Sequence, residues 1–340
     1  MAVTVESMLT MNSQRPRVSI GVPVYNGERF LEEALNSILM QTFRDFEVII
    51  SDNASTDGTP EICQAYAARD RRVRYYRSEQ NFGAAWNYNR VFELATGEYF
   101  KWAAHDDLCA PEYLEQCAAV LDRKPAVVLC YPRTIIIDEN GKHIGDYIDG
   151  LDLCSPKPHE RYAHYHNRYR TPGECNAVFG LIRADALGTT PLIGNYVSSD
   201  KILLGELALL GEFFEIPEHL FFRRDHPQTS VRANPAQKAR AAWFDPAARE
   251  KIQLTRWRWF FEYLSSIGRV RMTWQEKMRC YLQVGKWALW NWRKLRNELI
   301  RALKHLLLSL PRPIGQPIES ALRYSWRLLN ALGRALRGNH

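Results

Sequence analysis

The segment Lys101–Pro111, KWAAHDDLCAP, sets two adjacent carboxylates, Asp106 and Asp107, between a short apolar run and a proline that can open a helix. Carboxylates are seldom buried without a partner, so this pair must meet a lysine, a proton or a metal. Two further polar clusters belong with it: Tyr25–Asn26 in VPVYNGERF and Asp52–Asn53 in ISDNASTDGT. Hard oxygen ligands suit Mg2+ or Mn2+, and such a cation would in turn hold a diphosphate. It would neutralise the charge that grows on a departing phosphate. Asp52 has the acceptor oxygens to take a hydrogen bond from a nucleobase N–H or a ribose hydroxyl.

The surrounding elements place these clusters on one rim. Val18–Val24 is a β-branched run that reads as a buried strand, and GERFLEEALNSILMQ follows with Phe30, Leu31, Ala34, Leu35, Ile38 and Leu39 at helical spacing. Phe46–Ile50 is the next strand, and a helix from Thr59–Pro60, with Thr59 as its expected N-cap, runs to about Ala68. VRYYRS, AAWNYNRVFELA, EYFKWAAHDD, PEYLEQCAAVLDR and AVVLCYPRTIIID continue the alternation of strand and helix. That order predicts an α/β fold, a doubly wound, mostly parallel sheet with helices on both faces. Ligands of such sheets sit at the carboxyl ends of the strands, where all three polar clusters fall. No GxGxxG, GxxxxGK[ST], GxSxG or HExxH motif is present, which argues against dinucleotide, P-loop, serine-hydrolase and zinc-protease chemistry.

VPVYNGERFLEEALNSILMQTFRDFEVIISDNASTDGT resembles the opening of the family-2 nucleotide-sugar glycosyltransferases of GT-A fold. The P-x-Y-N element, the Q-T-x-x-x-x-E link and the S-D-N-x-S-x-D-G-T loop carry the likeness, NFGAAWNYNRVFELATGEY and AHDDLCAPEYL extend it, and it covers about residues 16–230. The resemblance implies that Pro23, Tyr25 and Asn26 line a nucleotide pocket, that Asp52 binds the base with Asn53 supporting its loop, and that Asn81 and Gly83 also belong to the nucleotide-sugar-binding set. It puts Asp106 near the ribose and makes Asp107 the metal ligand. The chain departs from the family twice: Ala104 stands where a first carboxylate is common, and Asn87-Tyr88-Asn89 replaces a triplet with a central arginine.

The same resemblance implies a general base at Asp200 in NYVSSDKILLGELALLG, with inversion at the transferred sugar. It also implies that His226, in LFFRRDHPQTS, completes the metal or diphosphate site, and Arg223 and Arg224 are candidate diphosphate contacts. His105 is expected to point away from the metal. KPHERYAHYHNRY, with His159, His164 and His166, reads as an acceptor-side loop rather than a zinc site, since no cysteine pair accompanies it. Gly180 is expected to permit close backbone approach.

Charge divides the chain. Residues 250–340 hold 18 Lys/Arg against 5 Glu, a net of +13, which leaves −6 for the first 249 residues. Seven of the ten tryptophans lie between Trp257 and Trp326. Ala288, Trp292, Leu295, Leu299, Leu303, Leu306 and Leu310 form one helical stripe. Leu322, Trp326, Leu329, Leu332 and Leu336 form a second beyond Pro311 and Pro313. Basic faces opposite Trp and Leu are the habit of interfacial helices, so an anionic membrane surface is the expected partner of the tail and a nucleic acid is not. The expected division is a flexible start (1–16), a catalytic domain (17–235, with a nucleotide-sugar half to about 110) and a basic helical tail (236–340).

Seven cysteines without a CxxC pair read as free thiols of a reducing compartment. No leader-like apolar segment opens the chain, and no apolar run approaches the 18 or so residues of a membrane span. The expected setting is the cytoplasmic face of a membrane, and the expected reaction uses a nucleotide diphosphate sugar as donor and a glycan or lipid-linked acceptor. Two rivals stay open: a nucleotidyltransferase of the same fold class, and a nucleotide-sugar-binding module that has lost turnover.

Overall fold

The computed structural model describes residues 15–170, 173, 175–248 and 252–309. Residues 1–14 of the expected flexible start and the second apolar stripe at 322–336 lie outside the described residues.

The first half follows the alternation expected from sequence: β1 (Val18–Val24), α1 (Leu31–Leu39), β2 (Phe46–Asp52), α2 (Thr59–Arg69), β3 (Val73–Arg77), α3 (Ala84–Glu93) and β4 (Tyr99–Trp102). These strands pair in parallel in the order β3-β2-β1-β4. The sheet is buried on both faces, and side chains alternate between two cores. Val18, Ile20, Val22, Val48 and Ile50 enter the core that also holds Leu31, Leu35 and Ile38 of α1. Ile49, Phe100 and Trp102 enter the opposite core, which includes Ala85 and Val91 of α3. Each fully buried Val, Leu or Ile contributes about 1.5–3 kcal/mol.

The second half is mixed in direction. It comprises β5 (Leu108–Cys109), α4 (Tyr113–Arg123), β6 (Val127–Ile137), β7 (His143–Tyr147), α5 (Pro158–Arg168), β8 (Leu181–Arg183), α6 (Ala184–Gly188), α7 (Ser199–Leu210) and β9 (Glu212–Arg224). The sheet continues β4-β8-β6-β9-β5, with β7 beside β6; β8 runs antiparallel to β4 and to β6, and β9 runs parallel to β6. Gly180 sits just before β8, where an added Cβ would lie 2.8 Å from the Cys130 carbonyl. The chain order makes β1 and β4 the point where winding reverses, and the cleft opens at their carboxyl ends.

KPHERYAHYHNRY forms a helix, not the expected loop. Pro158 occupies the first turn of α5, and Arg161, Tyr162, Tyr165 and His166 share its buried face. The helical spacing of those residues was masked by their mixed polarity. Tyr162 and Tyr263 enclose the His166 ring at centroid distances of 4.4 and 4.6 Å, and burial pushes that imidazole down to about 3.

The chain ends in α8 (Ser230–Ala233), α9 (Gln237–Phe244), α10 (Thr255–Arg269), α11 (Trp274–Trp290) and α12 (Trp292–Ser309). α10 and α11 pack on α5 and α7: Trp259, Tyr263, Ile267, Val284 and Trp287 share one core with Tyr162, Tyr165, Leu203 and Leu207. Trp259 Nε1–H donates to the Val197 carbonyl at 2.9 Å, and Arg269 donates to both oxygens of buried Glu206 at 2.8 and 2.6 Å. Leu295 of the first stripe is buried, while Trp292, Leu299 and Leu303 are exposed. No helix among the described residues is long and apolar enough to cross a membrane.

Candidate active site

A cleft of about 480 Å³ opens where β1 and β4 end, bordered by the start of α7, the end of β9 and α8–α9. Tyr25, Asn26, Asp106, Asp107, Asp200, Arg223, Arg224 and His226 all line it. Residues more than 100 positions apart in sequence thus meet through the β4–β8–β6–β9 half of the sheet.

The Asp106–Asp107 pair meets several partners. Asp106 Oδ2 lies 2.9 Å from His226 Nε2. Burial would raise the Asp106 carboxyl, but the His105 charge and the His226 contact hold it below the ordinary carboxylate range. Asp107 Oδ1 accepts the Arg224 backbone N–H at 2.8 Å. Burial, then the charge of Asp106, pushes Asp107 up to about 8, against the pull of that hydrogen bond, Arg223 and Lys101. Two carboxylates side by side cannot both ionise cheaply, so Asp107 is the one of the pair pushed toward its protonated form, and an approaching cation would favour the ionised one.

This donor set fits a hard divalent cation. Asp107 Oδ2 makes no hydrogen bond among the described residues, and Mg2+ characteristically takes one or two carboxylates and fills its sphere with phosphate and water. Asp107 is the residue that would hold it. His226 is turned differently: its Nε2 faces Asp106, its Nδ1 is buried with no partner, and its ring packs 4.7 Å from Phe30. Among the described residues no cluster of three or more His, Cys, Asp or Glu side chains converges as a complete metal cage would.

Arg224 is a clamp. Only 1% exposed, it lies over the Phe30 ring and donates from its guanidinium to the Asp106, Asp138 and Glu139 carbonyls and to Glu33 at 2.6 Å. Its hydrogen bonds fix the Asp106–Asp107 turn, and Arg223 lines the same cleft, its charge acting on Asp107.

Asp200 is the second residue of α7, after Ser198 in a left-handed conformation (φ 60°). The N-cap Ser198 makes no side-chain capping hydrogen bond, and Asp200 Oδ1 is buried without a partner. Burial raises its carboxyl, opposed by Lys201 and a hydrogen bond with Cys175. A raised carboxylate with an orphaned oxygen in a cleft is suited to accept a proton.

The nucleotide-side residues divide. Pro23, the penultimate residue of β1, is buried and is not on the cleft wall, Tyr25 is 43% exposed at the cleft mouth, and Asn26 has φ 52° with its Oδ1 accepting the Thr56 N–H at 2.9 Å. Asp52 is not on the cleft wall: fully buried, it accepts from Ser55 N–H at 2.8 Å and Tyr75 O–H at 3.0 Å, with Arg77 at 3.6 Å. Asn53 bridges to the Asn81 Oδ1 (2.9 Å) and the Gly83 carbonyl (3.1 Å), and its own Oδ1 accepts Phe82 N–H. Gly83 needs its φ of 90°, and a Cβ there would lie 2.6 Å from the Phe244 carbonyl. These hydrogen bonds tie the loop after β2 to the loop after β3, and Gly83 packs closely against Phe244 of α9, which with Trp243 lines the cleft.

Two residues acquire importance only in three dimensions. Tyr88 lines the cleft, and burial, followed by the charges of Asp106, Asp107 and Asp200, raises its hydroxyl, so it stands among all three carboxylates. The signal was its central place in the Asn87-Tyr88-Asn89 triplet. Asn87 donates to the Val24 and Ser51 carbonyls at 3.2 and 2.9 Å and locks the ends of β1 and β2 together.

The model of glycosyl transferase family 2 matches residues 19–187. An uncharacterized glycosyltransferase of Rickettsia typhi is 36% identical over 125 residues, 36% of this chain and 38% of its own length. Glycosyltransferase GlyG of Streptococcus pneumoniae is 34% identical over 137 residues, 40% of this chain and 45% of its own. The aligned stretch thus spans less than half of these relatives. A solved structure of residues 1–349 of TarS from S. aureus is similar at a TM-score of 0.49 and 20% identity, over 75% of this chain and 81% of that one. With the family match running from β1 into α6 and enclosing the Asp106–Asp107 turn, the chain belongs to glycosyl transferase family 2.

Proposed function

We propose that the protein transfers a sugar from a nucleotide diphosphate donor to an acceptor hydroxyl with inversion. The observation that carries this reading is the meeting of Asp107 and Asp200 on one cleft, the first held for a cation, the second with an orphaned oxygen. Asp200 takes the proton of the acceptor hydroxyl as its oxygen attacks the anomeric carbon from the face opposite the diphosphate. Tyr25, Asn26 and Asp106 border the donor, and Arg223 contacts its diphosphate. A divalent cation, Mg2+ or Mn2+, bound at Asp107 would supply charge neutralisation to the departing diphosphate. Base recognition by Asp52 requires the Tyr75–Arg77 side of the pocket to open toward the cleft.

The acceptor is a cell-envelope glycan or a lipid-linked one, and the protein works peripherally on an anionic, cytoplasmic membrane face. Exposed Trp292, Leu299 and Leu303 on α12, with Arg293 and Arg296 exposed beside them, support this placement. In domain terms, residues 17–110 hold the donor, residues 111–235 complete the acceptor side, and α10–α11 brace it.

The test is thermal stabilisation by a panel of nucleoside diphosphates with Mn2+ and with chelator. A ligand at a hundredfold its dissociation constant adds about 2.7 kcal/mol. Stabilisation by one nucleotide that depends on metal is expected; none by any nucleotide would overturn the reading.

A further inference from the structure

A second cavity of about 670 Å³ lies between the start of α7, α9, the start of α10 and α12. Five cations line it: Arg240, Arg256, Lys294, Arg301 and Lys304. Glu298 is the sole carboxylate on its wall, and it is occupied, accepting the Arg256 N–H at 3.0 and 2.9 Å at the start of α10. No carboxylate forms an ion pair with Arg240, Lys294, Arg301 or Lys304 among the described residues.

The arrangement is unfavourable without an anion. Arg240 Nε is buried without a hydrogen-bond partner. The charge of Arg256 lowers Lys294, a like-charge conflict. Arg256 lies over Trp259, 4.2 Å from its ring, and is held in place rather than free to swing away. Lys294, Arg301 and Lys304 recur at helical spacing on one face of α12, separate from exposed Trp292, Leu299 and Leu303. Residues 310–340 bring five Arg and one Glu, so the adjoining chain offers little to neutralise the site.

The two cavities share walls. Ser198 faces the basic cavity while Asp200, two residues on, faces the donor cleft. On α9, Gln237 and Arg240 face the first, and Trp243 and Phe244 the second.

We propose that this cavity is a phosphate-binding site distinct from the donor cleft, taking a phosphate or diphosphate ester whose attached group reaches toward Asp200. That the ester is the acceptor rests on the transferase reading; the anion site itself does not. Guanidinium and ammonium groups converging on one cavity suit phosphate oxygens, and the volume falls in the range of ligand pockets, about 300–1,000 Å³.

The test uses the full chain and its K294Q/R301Q variant. Both side chains are exposed, so the fold should be retained, which an unchanged melting temperature would verify. Inorganic pyrophosphate is titrated by calorimetry, and sedimentation is measured with phosphatidylglycerol and phosphatidylcholine vesicles. The expected result is at least a tenfold weaker pyrophosphate affinity in the variant, with nucleoside-diphosphate stabilisation retained. If binding to phosphatidylglycerol vesicles also falls, the phosphate is that of a lipid head group; if vesicle binding is unchanged, it belongs to a soluble or acceptor-borne ester. Equal pyrophosphate and vesicle binding by the two proteins would overturn the site. Loss of nucleotide stabilisation in the unaltered protein would instead indict the transferase reading.

Discussion

Asp149 offers a test of how the wall of the cleft is held. It is 2% exposed; Oδ1 accepts the Ala177 N–H at 3.4 Å, and Oδ2 is buried without a partner. Ala177 belongs to the short turn Asn176–Phe179, whose Asn176, Val178 and Phe179 line the cleft. Burial pushes Asp149 up to about 7, helped by the charge of Glu215 and opposed by the Ala177 hydrogen bond and Arg168. A folded-state value raised above the unfolded one means that the native state binds the proton more tightly. Stability from this group is therefore full below about pH 4 and lost as pH rises toward 7. A shift of about three units corresponds to at most about 4 kcal/mol, and relaxation of the turn reduces it to about 1–3 kcal/mol. Asp149→Asn removes the charge while keeping the shape. The variant should be more stable than the unaltered protein at pH 8 by that amount and equal to it near pH 4, read by urea denaturation across pH. A variant no more stable at pH 8, or a gain independent of pH, would refute the reasoning.

Other expectations follow from the clamp and the brace. Arg224→Met should cost about 3 kcal/mol or more, because it strands the Asp106, Asp138 and Glu139 carbonyls. Arg224→Lys should not restore the loss, since one ammonium cannot replace the planar fork; recovery of full stability by lysine in a denaturation curve would contradict the clamp. Glu206→Gln should cost about 2 kcal/mol through the α7–α10 tie and increase protease cleavage near α10. A change within about 0.5 kcal/mol, the range of an ordinary surface substitution, would mean that the tie is incidental.

Local structure was legible where periodicity was strong. Val18–Val24 and Phe46–Ile50 are short runs rich in Val, Ile and Phe, and α1 repeats its buried residues at three and four, so strand, helix and winding order could be read directly. Side-chain direction was less legible. Nothing in ISDNASTDGT shows that Tyr75 and Arg77, a strand away, turn Asp52 inward. Nothing in FRRDH separates Arg224, spent on carbonyls across the turn, from Arg223. The pairing of His226 with Asp106 spans 120 residues and depends on β9 reaching the rim. The tail was read for its stripes and charge, whereas the packing of Trp259, Tyr263 and Trp287 on α5 and α7 is a tertiary fact that amphipathic spacing alone does not distinguish from a membrane face.

The central claim is that Asp200 removes the acceptor's proton. The direct measurement compares Asp200→Asn with the unaltered protein, using the nucleotide sugar that stabilises it. Donor affinity and release of nucleoside diphosphate in the presence of acceptor are both followed. The account predicts donor affinity within about twofold and turnover lower by about 10²–10⁴. Turnover at the unaltered rate would contradict it.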